Sequence, residues 1–441
     1  MRMKNAMRTL VVSLLAMTVA MPAAADTLPE AQAAAVDSNP ALAAQRQRLN
    51  ATREALPQAW SEALPQISVS GSATRSANES ENPALDTLAR ENWSANASAS
   101  QLLFGGGRVL ASTRGARAQI SGAVANYDQT LQTLLLDVTR AYADVRQAQA
   151  VVAARGTTVS NLSTLFEYAQ AQFDAGVVTR TDVAQSQARL AQARTQLVQA
   201  QGALAASVQA YQRLVGRPPS NLEAPMNASG LPSDLETALQ LAGQQSPALR
   251  AAVAATEQAD AAVASAASQG RPRVSLEAGY GVGADFNDDF SESTNDSVGV
   301  RVSVPIFQGG VIQSRTRQQR ALRSAANLDL ATAQRSVQEQ VTNAWTGLAS
   351  ARAAVQSARE QVEASELAYE GVRLEQETGL RSTVEVLDQE ADLLTARIAL
   401  AQAERDLVVA ERQMLASMGG LTVEGAQAGA VPPPNDELGG R

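Results

Sequence analysis

The sequence predicts a mainly α protein whose duplicated long helical hairpins, a coiled-coil α-barrel, carry four β-strands per chain belonging to a transmembrane β-barrel. Three observations lead there. Large apolar residues recur every seven positions over long stretches, the whole pattern occurs twice, and four short segments switch to a period of two. Val124, Leu131, Val138, Val145, Val152, Val159, Phe166 and Phe173 form one ladder; Val183, Leu190, Leu197, Leu204 and Tyr211 form the next. A seven-residue repeat sustained this long makes a left-handed coiled coil. Gly176 lies between the ladders and reads as a hairpin tip. Adding 203 to these numbers reproduces the pattern: Val341, Leu348, Val355, Val362 and Tyr369 lead to Gly379, and Val386, Leu393, Leu400, Leu407 and Met414 follow it. The chain is an internal duplication.

Composition narrows the function. The 441 residues include no Cys and no His, 3% are aromatic, and the net charge is -8. So few bulky side chains cannot build a large globular core; Ala-rich helices pack instead along thin seams. Absence of His and Cys removes the usual metal ligands, the thiol nucleophile and the commonest general base. No enzyme chemistry and no cofactor is expected. No basic stripe marks a nucleic-acid partner.

Residues 1–25 read as a secretory signal peptide: Arg2, Lys4 and Arg8 precede the apolar run Leu10 to Val19, and Ala23-Ala24-Ala25 fits a cleavage site before Asp26. No Cys follows that site, which argues against a lipid anchor, and no later run is apolar enough to span a bilayer as a helix. Repeat 1 covers 26–216, with a helix over 30–60, strands at about 66–74 and 93–104, and a hairpin over 105–215. A Pro-rich linker occupies 217–232. Repeat 2 covers 233–419, with a helix over 234–268, strands at about 273–281 and 298–306, and a hairpin over 310–417. The 420–441 tail, with Pro432 to Pro434, is expected to be disordered.

The strands alternate small polar and apolar residues. Ile67, Val69, Gly71 and Ala73 share one face of the first; Trp93, Ala95, Ala97 and Ala99, then Val274, Leu276, Ala278 and Tyr280, then Val298, Val300, Val302, Val304 and Ile306 do so in the others. Such alternation matches outer-membrane barrel strands. Polar loops over 75–92 and 282–297 join the pairs, the second carrying Asp285, Asp288, Asp289, Glu292 and Asp296. Four strands cannot enclose water, and lipid tolerates no open edge, so closure between subunits is required. Gly105, Gly106 and Gly107, then Gly309 and Gly310, supply Cβ-free swivels from strand to helix. A phosphate loop is disfavoured, since no Gly-Lys-Ser/Thr follows. Helices of some 70 residues measure about 100 Å, and each returning helix plus the helix before the strands adds to about the same length. Two short helices stacked end to end therefore line one long one.

Leu64-Pro65-Gln66, Leu103-Phe104-Gly105-Gly106-Gly107-Arg108, Val304-Pro305-Ile306-Phe307-Gln308-Gly309-Gly310 and the two tips carry a resemblance to the TolC family of outer-membrane channel-tunnels. It spans nearly all of the chain beyond the signal. The resemblance implies a homotrimer with a 12-stranded barrel in outer-membrane lipid and a long periplasmic helical barrel. It implies an exit duct for proteins or small molecules, recruited by a periplasmic adaptor (membrane fusion protein) and an inner-membrane ABC or RND-type pump. Glu385 and Asp388, spaced i,i+3, fall where the family has an acidic pore constriction, with Glu385 in place of an Asp. Asp182, Arg381 and Thr181 fall at its gate links, although Gln376 stands where the family gate has a Tyr. Gly176, Val177, Val178, Gly379 and Leu380 fall at its adaptor contacts. From spacing alone, the tip carboxylates are a solvated helix face and the tip residues simple caps. The alternative architecture is a periplasmic coiled-coil scaffold or adaptor without a pore, which has no use for four amphipathic strands.

Overall fold

The computed structural model describes residues 26–78, 87–286 and 288–423. The signal segment, part of the first strand-joining loop and most of the tail lie outside them. Described elements run α1 (Leu28–Ser38), α2 (Pro40–Arg53), α3 (Ala55–Ser61), β1 (Gln66–Asn78), β2 (Thr87–Phe104), α4 (Arg108–Asp174), α5 (Arg180–Val215), α6 (Leu235–Gln245), α7 (Pro247–Ser268), β3 (Arg273–Asp285), β4 (Asp288–Ser303), α8 (Val311–Glu377) and α9 (Thr383–Met418).

The outgoing helices α4 and α8 each have 67 residues, about 100 Å of helix. The returning helices α5 and α9 each have 36. α5 packs on α4, α9 packs on both α8 and α4, and α7 packs between α4 and α8. A wall four columns wide results: α5 with α2 and α3, then α4, then α9 with α7, then α8. In the first and third columns shorter helices stand end to end. The expected single helices over 30–60 and 234–268 are broken, however. Pro40 and Pro247 each occupy the first helical position after a break, at Asn39 and Ser246. Proline has no N–H to give the preceding turn and fits only a helix start. Both breaks sit where a returning helix ends. Ser38 Oγ donates to Val215 O (3.1 Å), and Gly419, at the end of α9, lies so close to Gln245 O that a Cβ would collide.

The linker is pinned to this equator. Asp26, almost buried, takes the Arg217 guanidinium at 2.6 Å and the Ser220 N–H at 3.2 Å. The Tyr142 hydroxyl reaches the carbonyls of Asp26 (2.7 Å) and Glu223 (2.8 Å), and burial raises its pKa above the ordinary value. In repeat 2, Arg412 is fully buried, 2.9 Å from Glu411 Oε2, and donates to Met226 O at 2.6 Å; Glu411 accepts from the Ala228 N–H at 3.0 Å.

The sheet is antiparallel in the order β1-β2-β3-β4. Register aligns like with like across all four strands. Ile67 faces Ala99, which faces Ala278, which faces Val298; Ser68, Ser98, Gly279 and Ser297 line up beside them. One face is apolar and open, with Val69 78% and Val298 81% exposed. On the other, Ser68 and Ser98 hydroxyls pair at 2.8 Å, and Arg301 meets Glu277 at 2.7 Å. The strands are longer than expected. Most of the segment expected as a loop over 282–297 is paired strand, Asp285 opposite Asp288. β4 instead stops at Ser303, short of the expected 306, because Pro305 cannot donate to a ladder.

Candidate functional site: the hairpin tips

Both tips use one local design. At tip one, Gly176 (φ 76°) donates to Phe173 O at 2.9 Å and Val177 to Gln172 O at 2.8 Å; at tip two, Gly379 (φ 79°) donates to Gln376 O at 3.0 Å and Leu380 to Glu375 O at 2.9 Å. This pair of bonds is the Schellman ending, which needs a left-handed residue and so glycine. The next helix begins with a capping box in each case. Thr179 N and Oγ1 donate to Asp182 Oδ2 at 2.9 and 2.8 Å; Ser382 N and Oγ donate to Glu385 Oε2, both at 2.9 Å. The signal was present in the sequence as Thr-x-x-Asp and Ser-x-x-Glu, the spacing that satisfies orphan N–H groups at a helix start.

The geometry changes how three expected site residues are read. Within one chain Asp182 and Arg381 do not meet. Asp182 serves its own cap, and Arg381 clamps the two legs of its own hairpin, Nε to Glu375 Oε2 at 2.8 Å and Nη1 to Glu385 Oε1 at 2.7 Å. Glu385 is therefore a cap and clamp carboxylate, not a bare ring group. The Ser382 backbone N–H, the Arg381 guanidinium and the Ser382 hydroxyl hold its pKa down to about 2. Asp388 faces Arg189 of the other hairpin at 3.3 Å. Thr181 is exposed, and its hydroxyl has no partner among the described residues. Gln376 is buried. Val177 and Leu380 stand out at 70% and 78% exposed, with Val178 half-buried beside them. Behind the tips an apolar cluster joins both hairpins: Leu162, Leu165, Leu190 and Ala193 with Val386 and Leu387.

The swivel glycines sit at the other end of the long helices. Gly106, Gly107, Gly309 and Gly310 have φ of 64°, 91°, 59° and 79°. Gly106 also lies against Arg271, whose guanidinium donates to its carbonyl at 3.0 Å. Gly105 is different: its φ is not left-handed, and a Cβ there would meet the Leu102 side chain at 2.9 Å.

Residues 32–217 and 238–420 match, as two segments, the family described as outer membrane efflux protein. The chain belongs to that family. It is 29% identical over 403 residues to the outer membrane efflux protein BepC of Brucella suis, covering 91% of this chain and 87% of that one. To the outer membrane protein TolC of Vibrio cholerae it is 27% identical, covering 90% and 92%. Among solved structures, the outer-membrane channel OprN superposes with a TM-score of 0.77 at 24% identity, covering 89% of this chain and 90% of that one. The Vibrio cholerae outer membrane protein VceC gives 0.76 at 19% identity, covering 89% and 96%. These structures share the fold of long helices carrying a short sheet. As a member of this family the chain is an outer-membrane protein, and its helical wall extends away from the membrane on the periplasmic side. No described helix is long and apolar enough to cross a membrane.

Proposed function

We propose that the chain is one third of an outer-membrane exit duct for proteins or small molecules. One observation carries this reading: a sheet with one apolar face, one polar face and two open edges runs directly into a helical wall about 100 Å long. Lipid cannot cover the free N–H and C=O groups of β1 and β4, so β4 of one copy closes on β1 of the next. Three copies make 12 strands, with the Ser and Asn face lining water. The helical walls close in the same order, α8 of one copy against α5 and α2 of its neighbour.

The tips form the gate of that duct. Arg381 has Nη2 without a partner among the described residues, and Asp182 likewise keeps Oδ1 free. A link between Arg381 and Asp182 of neighbouring hairpins adds to the bonds each already makes, with the exposed Thr181 beside it. Glu385 and Asp388 line the constriction. With Arg381 and Arg189 paired to them, it attracts cations more weakly than bare carboxylate rings do. Gly176, Val177, Val178, Gly379 and Leu380 present the surface that a periplasmic adaptor grips, coupling the duct to an inner-membrane ABC or RND-type pump. The relatives named as efflux proteins and, in Pseudomonas aeruginosa, as the alkaline protease secretion protein AprF support both kinds of cargo. Purified protein should run as a detergent-stable, heat-dissociable trimer and open cation-preferring channels in planar bilayers. A monomer recovered in the soluble periplasmic fraction, or a trimer that forms no channels, overturns the reading.

A further inference from the structure

Glu390 of α9 is 1% exposed and does not belong to the capping and clamp network of tip two. Its Oε2 accepts from Asn161 Nδ2 of α4 at 3.0 Å, so the bond crosses from one hairpin to the other. Its Oε1 is equally buried and has no hydrogen-bond partner among the described residues. Beside it lies a cavity of about 90 Å³ between the hairpins, lined by Thr158, Arg189, Gln192, Gln196 and Glu390 together with apolar side chains such as Leu162 and Leu387. Tyr369 of α8 packs close by, and its hydroxyl is pushed up to about 12, first by burial, then by the Glu390 charge and by a hydrogen bond to the Glu390 carboxylate within the same hairpin. The position 203 residues earlier, Gln187, carries no charge.

A buried carboxylate is expensive unless it makes specific bonds. The apolar cluster joining the hairpins supplies adhesion without direction, and contacts of that kind can slide. Near the tips, polar bonds between the hairpins among the described residues include Arg189–Asp388, about half exposed and long at 3.3 Å, and Asn161–Glu390, part-buried with the Glu390 side chain itself enclosed. Exposed pairs hold weakly; a charge-assisted bond in a low dielectric holds strongly and fixes register. We propose that Glu390 is a latch that fastens the second hairpin onto the first and thereby sets the width of the tip. This rests on the reading of the tips as the gate.

The test uses full-length trimers. Since the chain has no Cys, Ser160→Cys with Asp392→Cys gives one nitroxide pair across the hairpins, doped sparsely with unlabelled chain. Glu390→Ala should lengthen and broaden the spin–spin distance and raise single-channel conductance about twofold or more, because the narrowest ring controls flow. Asn161→Ala should do the same and add nothing to Glu390→Ala, as one bond cannot be lost twice. An unchanged distance, an unchanged conductance, or additive effects overturns the latch. Arg381→Ala separates the two readings. If it raises conductance and Glu390→Ala does not, the latch falls and the tip gate stands; if neither does, both fall. Should Glu390→Ala not assemble, Glu390→Gln removes the charge at constant shape and is judged by the same readings.

Discussion

The two repeats share one plan and differ in where they hold charge. Buried ionisable side chains gather on α9: Glu390, Glu411 and Arg412. The matching positions on α5 are Gln187, Val208 and Gln209. The tips differ in the same direction, since Arg381 clamps tip two whereas tip one has Val178 at that place. Packing accounts for the contrast. α9 lies inside the wall, on α8 and α4, so its polar groups are enclosed and must be paired; α5 lies along α4, with its outer side open within the chain.

Breaking the contrast at its strongest point should have the largest effect. Arg412→Ala leaves Glu411 buried with only the Ala228 N–H as partner and should destabilise the protein by about 3–5 kcal/mol, read as thermal unfolding in detergent. Gln209→Ala, its exposed counterpart, should stay within about 0.5 kcal/mol. Equal losses would erase the difference between the repeats. In the sheet, Val300→Arg places a charge on the lipid face and should cost about 2–4 kcal/mol near the midplane, while Ser303→Arg on the lumen side should be mild. Yields of heat-modifiable trimer compare the two. At the tips, Arg381→Ser should free tip two to behave like tip one and raise channel conductance, more clearly at low ionic strength where screening is weak. The smallest effect is a pH dependence. The Glu385 carboxyl is held near a pKa of about 2 against an ordinary 4.5, so its contribution is complete above about pH 4.5 and fades as pH falls toward 2. Amide exchange in the first turn of α9 should accelerate over that window.

The seven-residue ladders fixed much of the architecture in advance because a coiled coil writes its apolar seam directly into sequence. Alternation did the same for the sheet faces. Less was legible where one signal masked another. Pro40 and Pro247 stand in the sequence as breakers, and each starts a new helix inside a span read as one. The Ser-x-x-Glu spacing at tip two is a capping-box signal as well, and it gives Glu385 a duty at the helix start that an acidic-constriction reading leaves out. Glu390, Glu411 and Arg412 could not be found by an apolar ladder at all. Their burial depends on α9 lying between two other helices, a fact of the folded wall and not of any local pattern.

The two open edges of the sheet have a consequence for assembly. A hairpin joins residues close in sequence and can form rapidly within each chain. The strands of one chain, by contrast, carry unpaired backbone groups on both sides, which lipid rejects and which invite pairing with other exposed strands. In the proposed trimeric duct, membrane insertion is thus a collective event whose rate should depend on protein concentration. Slow expression and a partner that shields exposed strands should favour it, whereas a surplus of single chains should drift into aggregates.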